Sequence, residues 1–324
     1  MIVLLGATGY IGQAFALELQ RRGLPFAALS RKEIDYTRFE VVLEYLRRTD
    51  PELVINAAGY TGKPNVDACE TARAVTLQGN TLFPAMLAHA CAVTSMPWGH
   101  VSSGCIYSGG KVVSNAEYGL RNTECERVEP DLTKPGLRAL FDTHPERFRG
   151  FTETDPPNFS FRSPPCSFYS GTKALAEEAI QDVGPWYIWR LRIPFDEIDG
   201  PRNYLSKVQR YPKVYDNINS VSHRGDFVRA CLDLWERRAP FGIYNVTNPG
   251  AVSTRQVVQT IQRILKPTRR FEFWESDEEF YRVAAKTPRS NCILDVSKLL
   301  ATGVKLRPVH EALENALQNW RKET

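Results

Sequence analysis

The chain opens on IVLLGATGYIG, an apolar run that breaks into three glycines, Gly6, Gly9 and Gly12, at intervals of three. Glycine lets a backbone approach a pyrophosphate closely. The helix start beyond it offers unpaired N–H groups and the positive end of its dipole. Alone such spacing says little. Here it follows a β-rich run and precedes YIGQAFALELQRRG, whose apolar residues recur at helical spacing and which closes on Gly23. A strand, a glycine turn and a helix at the very start of a chain predict the first unit of a dinucleotide-binding sheet. The candidate cofactor residues are Gly6, Thr8, Gly9, Tyr10, Ile11 and Gly12 in that turn. Asn56, Ala57, Ala58, Gly59 and Tyr60 join them at the end of a third predicted strand, LVINAAGY, with Asn80 beyond.

The alternation continues. PFAALS reads as a strand, FEVVLEYLRRTDP as a helix stopped by Pro51, NTLFPAMLAHACA as another helix, and GHVSSGCIY as a fourth strand. Strand and helix in turn with short links predict α/β architecture, a Rossmann-like doubly wound parallel sheet. Residues 108–165 break the rhythm. They are rich in Pro, Arg, Glu and Asn, without sustained period save for a short helix in KPGLRALFDTHPERF, and read as a long excursion over the mouth of a site. The helix SGTKALAEEAIQDVG and strand WYIWRLRIPF restore the pattern. The expected division is a dinucleotide-binding domain over 1–200 and a smaller C-terminal α/β substrate lobe over 201–324, with helices near 226–238, 253–265 and 308–321.

Bulk properties narrow the function classes. Of 324 residues, 43% are hydrophobic and 24% charged, as in a globular protein, and the net charge of +4 comes without any long basic block. This argues against nucleic acid as a partner and suits an anionic small molecule. Seven cysteines are scattered without CxxC or Cys/His ligand spacing, so no metal site is expected. The chain starts directly on an apolar strand, and no apolar stretch approaches the roughly 20 residues of a membrane span. The expectation is a reduced, cytoplasmic protein with no membrane partner.

The end of the second strand bears on the dinucleotide. Where NAD-binding sheets usually carry an acid for the ribose 2′-hydroxyl, ALSRKEID places Ser30, Arg31 and Lys32, with no acid before Glu33. A hydroxyl and two cations suit a 2′-phosphate. This favours NADP(H), with NAD(H) as the alternative.

The chemistry sits further along. FYSGTKALAEE holds Tyr169 and Lys173 four residues apart, on one face of a helix. An ammonium beside a phenol eases its ionisation, so tyrosine can exchange a proton with an alcohol or sugar oxygen near neutral pH. Ser103, at the end of the fourth strand, offers a further hydroxyl. In the same VSSGCIY segment, Cys105 is either small core filler, the commoner fate of a free cysteine, or a thiol placed where substrate arrives.

Together GATGYIG, NAAGYTGKPNVDACE, VSSGCIY and FYSGTKALAEE resemble the extended short-chain dehydrogenases/reductases. More narrowly they are similar to the nucleotide-rhamnose synthase/epimerase-reductase group and to dTDP-4-dehydrorhamnose reductase. RLRIPF, PRNYLSKVQRY, IYNVTNPGAVS and TPRSN extend the likeness in the same order through the C-terminal half. The resemblance implies NADPH-dependent conversion of a nucleotide-linked 4-keto-6-deoxyhexose: inversion at C3 and C5, then hydride reduction at C4. It assigns Ser103, Tyr169 and Lys173 to the reduction, and makes Cys105 and Lys207 an epimerising acid/base pair. A thiol and a lysine lowered by burial can both exchange protons near neutrality. Cys69, Cys91, Cys125, Cys166, Cys231 and Cys292 are read as packing residues.

Candidate substrate contacts are Lys63, Asn65, Ser103, Gly104, Cys105, Arg192, Arg202, Asn203, Arg289 and Asn291. Arginine forks suit diphosphate oxygens. Two departures from the group stand out. The excursion before Tyr169 is longer, and Gly171 stands where the group's YSKTK carries a lysine. Two alternatives stay open. One is a redox-neutral nucleotide-sugar epimerase or dehydratase with tightly held NAD; the other is a non-enzymatic NADP-binding regulatory subunit. By analogy with the superfamily a homodimer is expected.

Overall fold

The computed structural model describes residues 1–63, 65–113, 125–128, 135–181 and 183–322. The chain divides into two compact units: 1–106, 159–190 and 228–244 form one, and 107–158, 191–227 and 245–324 the other.

The first unit is built on strands β1 (Ile2–Leu5), β2 (Phe26–Leu29), β3 (Leu53–Asn56), β4 (Trp98–Ser103), β5 (Trp186–Leu191) and β6 (Gly242–Asn245). Their order across the sheet is β6-β5-β4-β3-β1-β2, so the direction of winding reverses between β1 and β3. The sheet is parallel, as predicted. Ile2 lies beside both Phe26 and Leu53, and Asn56 beside both Leu5 and His100. β1 and β3 are buried at every position, which explains why IVLL and LVIN read as unbroken apolar runs rather than as alternating ones.

The longer helices of this unit are α1 (Tyr10–Arg21), α2 (Phe39–Thr49), α3 (Phe83–Val93), α4 (Phe168–Ile180) and α5 (Arg224–Glu236). The last begins in the second unit. On one face of the sheet Val42 and Leu46 of α2 and Leu87, Ala88 and Cys91 of α3 pack over Val3, Leu5, Val54, Trp98 and Ile188. On β4, a side chain at Gly99 would run into the Trp189 indole at 1.9 Å, so glycine there lets the large ring of β5 lie flat across the neighbouring strand. α2 ends where the sequence predicts, with Asp50 in the left-handed region one residue before Pro51.

In the second unit the described part of the excursion is more regular than its composition suggests. Gly110–Val113 pairs antiparallel with Cys125–Val128 on one side and Phe148–Arg149 on the other, and Pro135–Thr143 is helical. Val112, Phe141 and Phe148 form a small core with Ile218 and Ile293. Those partners lie far off in sequence, which is why local periodicity does not show the sheet. The helices expected near 226–238, 253–265 and 308–321 are Arg224–Glu236, Thr254–Leu265 and Val309–Gln318. Thr254–Leu265 starts on a full capping box between Ser253 and Gln256.

Candidate active site

In open α/β sheets ligands bind beyond the carboxyl ends of the strands where the winding reverses. Here that places them at Gly6 and at the loop after Asn56. Gly6 has φ +77°, and a Cβ on it would lie 2.5 Å from the Ala58 nitrogen. At Gly12 a Cβ would lie 2.0 Å from the Gly6 carbonyl oxygen. Gly9 N–H donates to that same carbonyl at 3.0 Å, and Gly9, which has no side chain to offer, stands at the N-cap of α1. The turn, the helix start and the third-strand loop thus meet backbone to backbone. Thr8 and Gly9 are exposed, and Tyr10 and Ile11 partly so. This open cradle of backbone at a helix N-terminus fits the pyrophosphate of a dinucleotide.

The loop Ala57–Tyr60 is pinned from behind. Asn56 is fully buried; its Oδ1 accepts from Ala58 N at 3.0 Å, and its Nδ2 lies 3.1 Å from His100 Nδ1. Asn80 sits in a π-helical stretch, Gln78–Leu82, where its side chain imitates a strand: Oδ1 accepts from Tyr60 N and Nδ2 donates to Tyr60 O, both at 2.8 Å. A π-turn rotates one side chain out of helical register, which is what this bridge requires. Lys63 is exposed, and Asn65 holds a local turn by accepting from Asp67 N at 2.8 Å.

Tyr169 and Lys173 lie on the first turns of α4, whose start is capped by Ser167 accepting from Ser170 N at 3.1 Å. The Phe168 amide donates to Glu70 at 2.7 Å. Lys173 is 4% exposed and donates from Nζ to the Val101 carbonyl at 3.0 Å. A Cβ at Gly59 would stand 4.0 Å from that Nζ, so the lysine lies directly beside the Ala57–Tyr60 loop. Burial brings its pKa down to about 8, opposed by the nearby Cys105 thiol and Glu177 carboxylate. His100, wholly buried with Lys173 beside it, is held neutral well below its usual range.

Cys105 is 6% exposed, in a single turn of 3-10 helix, Gly104–Ile106, and its amide donates to Ser103 Oγ at 3.2 Å. Ser103, Cys105 and Lys173 therefore share one neighbourhood at the end of β4.

Beneath them runs a network the sequence does not announce. Glu177, one turn beyond Lys173, forms an ion pair with Arg190 of β5 at 2.8 Å, with both side chains 2% exposed. Ser102 Oγ donates to Glu177 Oε1 at 2.5 Å. The YxxxK spacing pointed to one face of α4, and Glu177 extends that face by four residues.

Gly171 is explained by a neighbour. A Cβ there would sit 2.3 Å from the ring of Phe161, which lies on the segment leading into α4 and is tilted against Phe168 at a centroid distance of 5.4 Å. At the second-strand end, Ser30 is bonded to Glu33 (below), while Arg31 is exposed.

In the second unit Lys207 lies on Tyr204–Arg210, and burial, with Arg202 nearby, lowers its pKa. Asn203 caps that helix, accepting from Leu205 N at 2.9 Å, and its amide donates to Asp196 and to the Ile198 carbonyl. Arg192, buried, donates to Asn219 Oδ1 at 2.7 Å and to the Ser290 carbonyl. Asn219 in turn donates to Asn291 Oδ1 at 3.0 Å. The Nε of Arg192 is buried without a hydrogen-bond partner among the described residues, so its guanidinium keeps a free donor. Arg192 and Asn291 are thus brought together by Asn219, which the sequence reading did not single out; one polar letter in DNINSVS carries no signal of its own. Arg289 is placed by its amide, which donates to the Tyr281 hydroxyl at 3.2 Å. Of the remaining cysteines, Cys69, Cys91, Cys231 and Cys292 are buried and Cys166 is partly exposed; the side chain of Cys125 lies outside the described residues. Among the described residues no group of metal-ligating side chains gathers and no helix is long and apolar enough to cross a membrane.

Comparison with known proteins agrees with this layout. The chain is 28% identical over 323 residues to the bifunctional dTDP-4-dehydrorhamnose 3,5-epimerase/dTDP-4-dehydrorhamnose reductase of Arabidopsis thaliana, covering 99% of this chain and 94% of that one. A trifunctional UDP-glucose 4,6-dehydratase/UDP-4-keto-6-deoxy-D-glucose 3,5-epimerase/UDP-4-keto-L-rhamnose-reductase of the same plant is also 28% identical, but the chain spans only 42% of its length. Among solved structures the fold matches the L780 UDP-rhamnose synthase of Acanthamoeba polyphaga mimivirus with a TM-score of 0.78 at 21% identity, covering 98% of each chain. It also matches the dTDP-4-dehydrorhamnose reductase of Bacillus anthracis in complex with NADP with a TM-score of 0.73 at 18% identity, covering 98% of this chain and 97% of that one. Residues 1–322 match the RmlD substrate binding domain, and the protein belongs to that family of extended short-chain dehydrogenases/reductases.

Proposed function

We propose that the protein is an NADPH-dependent epimerase/reductase acting on a nucleotide-linked 4-keto-6-deoxyhexose. The observation that carries the reading is the Lys173 ammonium, buried beside both the dinucleotide loop and the Cys105 thiol, with a pKa brought to about 8. A dinucleotide held at the Gly6–Gly12 turn and the Ala57–Tyr60 loop would supply the hydride for C4. Tyr169, one helical turn before Lys173, gives the C4 oxygen its proton, and Ser103 orients that oxygen. Before reduction the ketone acidifies the C–H bonds at C3 and C5. Cys105 and Lys207 serve as the acid/base pair that removes and returns those protons. Burial, with Arg202 nearby, lowers the pKa of Lys207 and so favours the neutral amine that can accept one. Arg192, Arg202 and Arg289 are the candidate diphosphate partners. The 28% identity, over almost the whole length of a curated 3,5-epimerase/4-reductase, supports the pairing of the two activities in one chain.

The test is incubation of the purified chain with dTDP- or UDP-4-keto-6-deoxyglucose and NADPH in D2O. NADPH oxidation is followed optically, and deuterium at C3 and C5 by NMR. The expected result is oxidation with deuterium in the product, with the exchange abolished in Cys105→Ala and Lys207→Ala. Exchange without oxidation would make the protein a redox-neutral epimerase. Absence of both, with dinucleotide binding intact, would refute the assignment.

A further inference from the structure

The end of β2 is not as free of acid as its sequence suggests. After Leu29 the chain turns sharply, and the amides of Glu33 and Ile34 both donate to the Ser30 carbonyl at 3.1 Å. That turn folds the Glu33 side chain back over the strand end. Its Oε2 accepts from the Ser30 amide at 3.0 Å and from the Ser30 hydroxyl at 2.7 Å. The two donors that would greet a 2′-phosphate are therefore both engaged by one carboxylate oxygen. The bonds also hold the Glu33 carboxyl below its usual range, so it is charged at neutral pH. Arg31 is exposed and its charge acts on Asp35 of the same turn.

We propose that Glu33 sets the dinucleotide preference of this chain. Resting on Ser30, its carboxylate presents an acceptor to the 2′-hydroxyl of NAD(H), while its charge opposes a 2′-phosphate of the same sign. Because Glu33 is exposed, it can swing away and leave Ser30, Arg31 and Lys32 to a phosphate. The protein thus takes both dinucleotides, and the phosphorylated one binds by displacing Glu33. This rests on the dinucleotide-binding reading above and gives Glu33 a role that Ser30 and Arg31 alone do not account for.

The experiment is calorimetric titration of the full chain with NADPH and with NADH, for the wild type, Glu33→Gln and the exposed control Glu40→Gln. Removing one like charge at contact distance in water changes affinity by about fivefold. Glu33→Gln is therefore expected to tighten NADPH by about that factor without tightening NADH, while Glu40→Gln leaves the ratio of the two dissociation constants unchanged. A ratio unmoved in Glu33→Gln, or moved equally by Glu40→Gln, overturns the proposal and leaves dinucleotide binding standing. A wild-type chain that binds neither dinucleotide overturns the underlying reading as well.

Discussion

Replacing Lys173 by methionine should make the protein more stable at neutral pH. The lysine is 4% exposed, and its Nζ donates to the Val101 carbonyl at 3.0 Å. Its pKa falls from 10.5 to about 8, chiefly through burial. Each pH interval is worth about 1.4 kcal/mol, so keeping the ammonium inside the fold costs about 3 kcal/mol relative to the unfolded chain. Methionine retains the length and most of the packing of the stem without the charge. It gives up a hydrogen bond worth about 1 kcal/mol, leaving a net gain of about 2 kcal/mol. The pH dependence has a definite sign. Because the folded pKa lies below the unfolded one, the lysine's penalty is full below about pH 8 and fades as pH rises toward 10.5, where the unfolded lysine also loses its proton. Thermal unfolding followed by circular dichroism from pH 6.5 to 10.5 checks this. At about 2 °C per kcal/mol for a chain of this size, the variant should melt about 4 °C higher at pH 7, and the advantage should vanish by the alkaline end. A variant that melts lower at pH 7, or whose gain does not change with pH, refutes the argument that an ammonium is held there against solvation. In the D2O assay the same variant should lose NADPH oxidation.

Two further outcomes follow from the same unit. Glu177→Gln removes the carboxylate paired with the buried Arg190 and should destabilise the protein by about 3–5 kcal/mol; Glu177→Leu combined with Arg190→Met should recover most of that loss in the melting temperature. Gly12→Ala puts a methyl 2.0 Å from the Gly6 carbonyl and should reduce dinucleotide affinity at least about tenfold by calorimetry, with far-UV circular dichroism unchanged.

What the sequence makes legible is what local covalent pattern can carry. Gly6 and Gly12 announce themselves because only glycine survives that close approach, and the unbroken apolar runs of β1 and β3 announce a buried parallel sheet. Tyr169 and Lys173 show because helical spacing places them side by side. Interactions that need long-range partners stay hidden. Glu177 and Arg190 are ordinary letters thirteen positions apart until α4 and β5 bury them together. Asn219 gains meaning only between Arg192 and Asn291. The small sheet in the excursion depends on Ile218 and Ile293, which no window around Val112 contains. Glu33 was visible three residues past Ser30, yet its fold back onto the strand end is a property of the turn and not of spacing.

The Phe161 ring fills the volume that any side chain at position 171 would need, on the second turn of the helix that carries Tyr169 and Lys173. A side chain at 171 and the Phe161 ring thus compete for one space. A lysine introduced at 171 would displace the Phe161 ring from a segment otherwise fastened by the Ser160–Ser163 bridge and the Arg162–Glu178 pair. Trimming the excursion back past Phe161 would leave bare helix backbone beside the reacting groups. A variant with a side chain at 171 is therefore best built together with a smaller residue at 161.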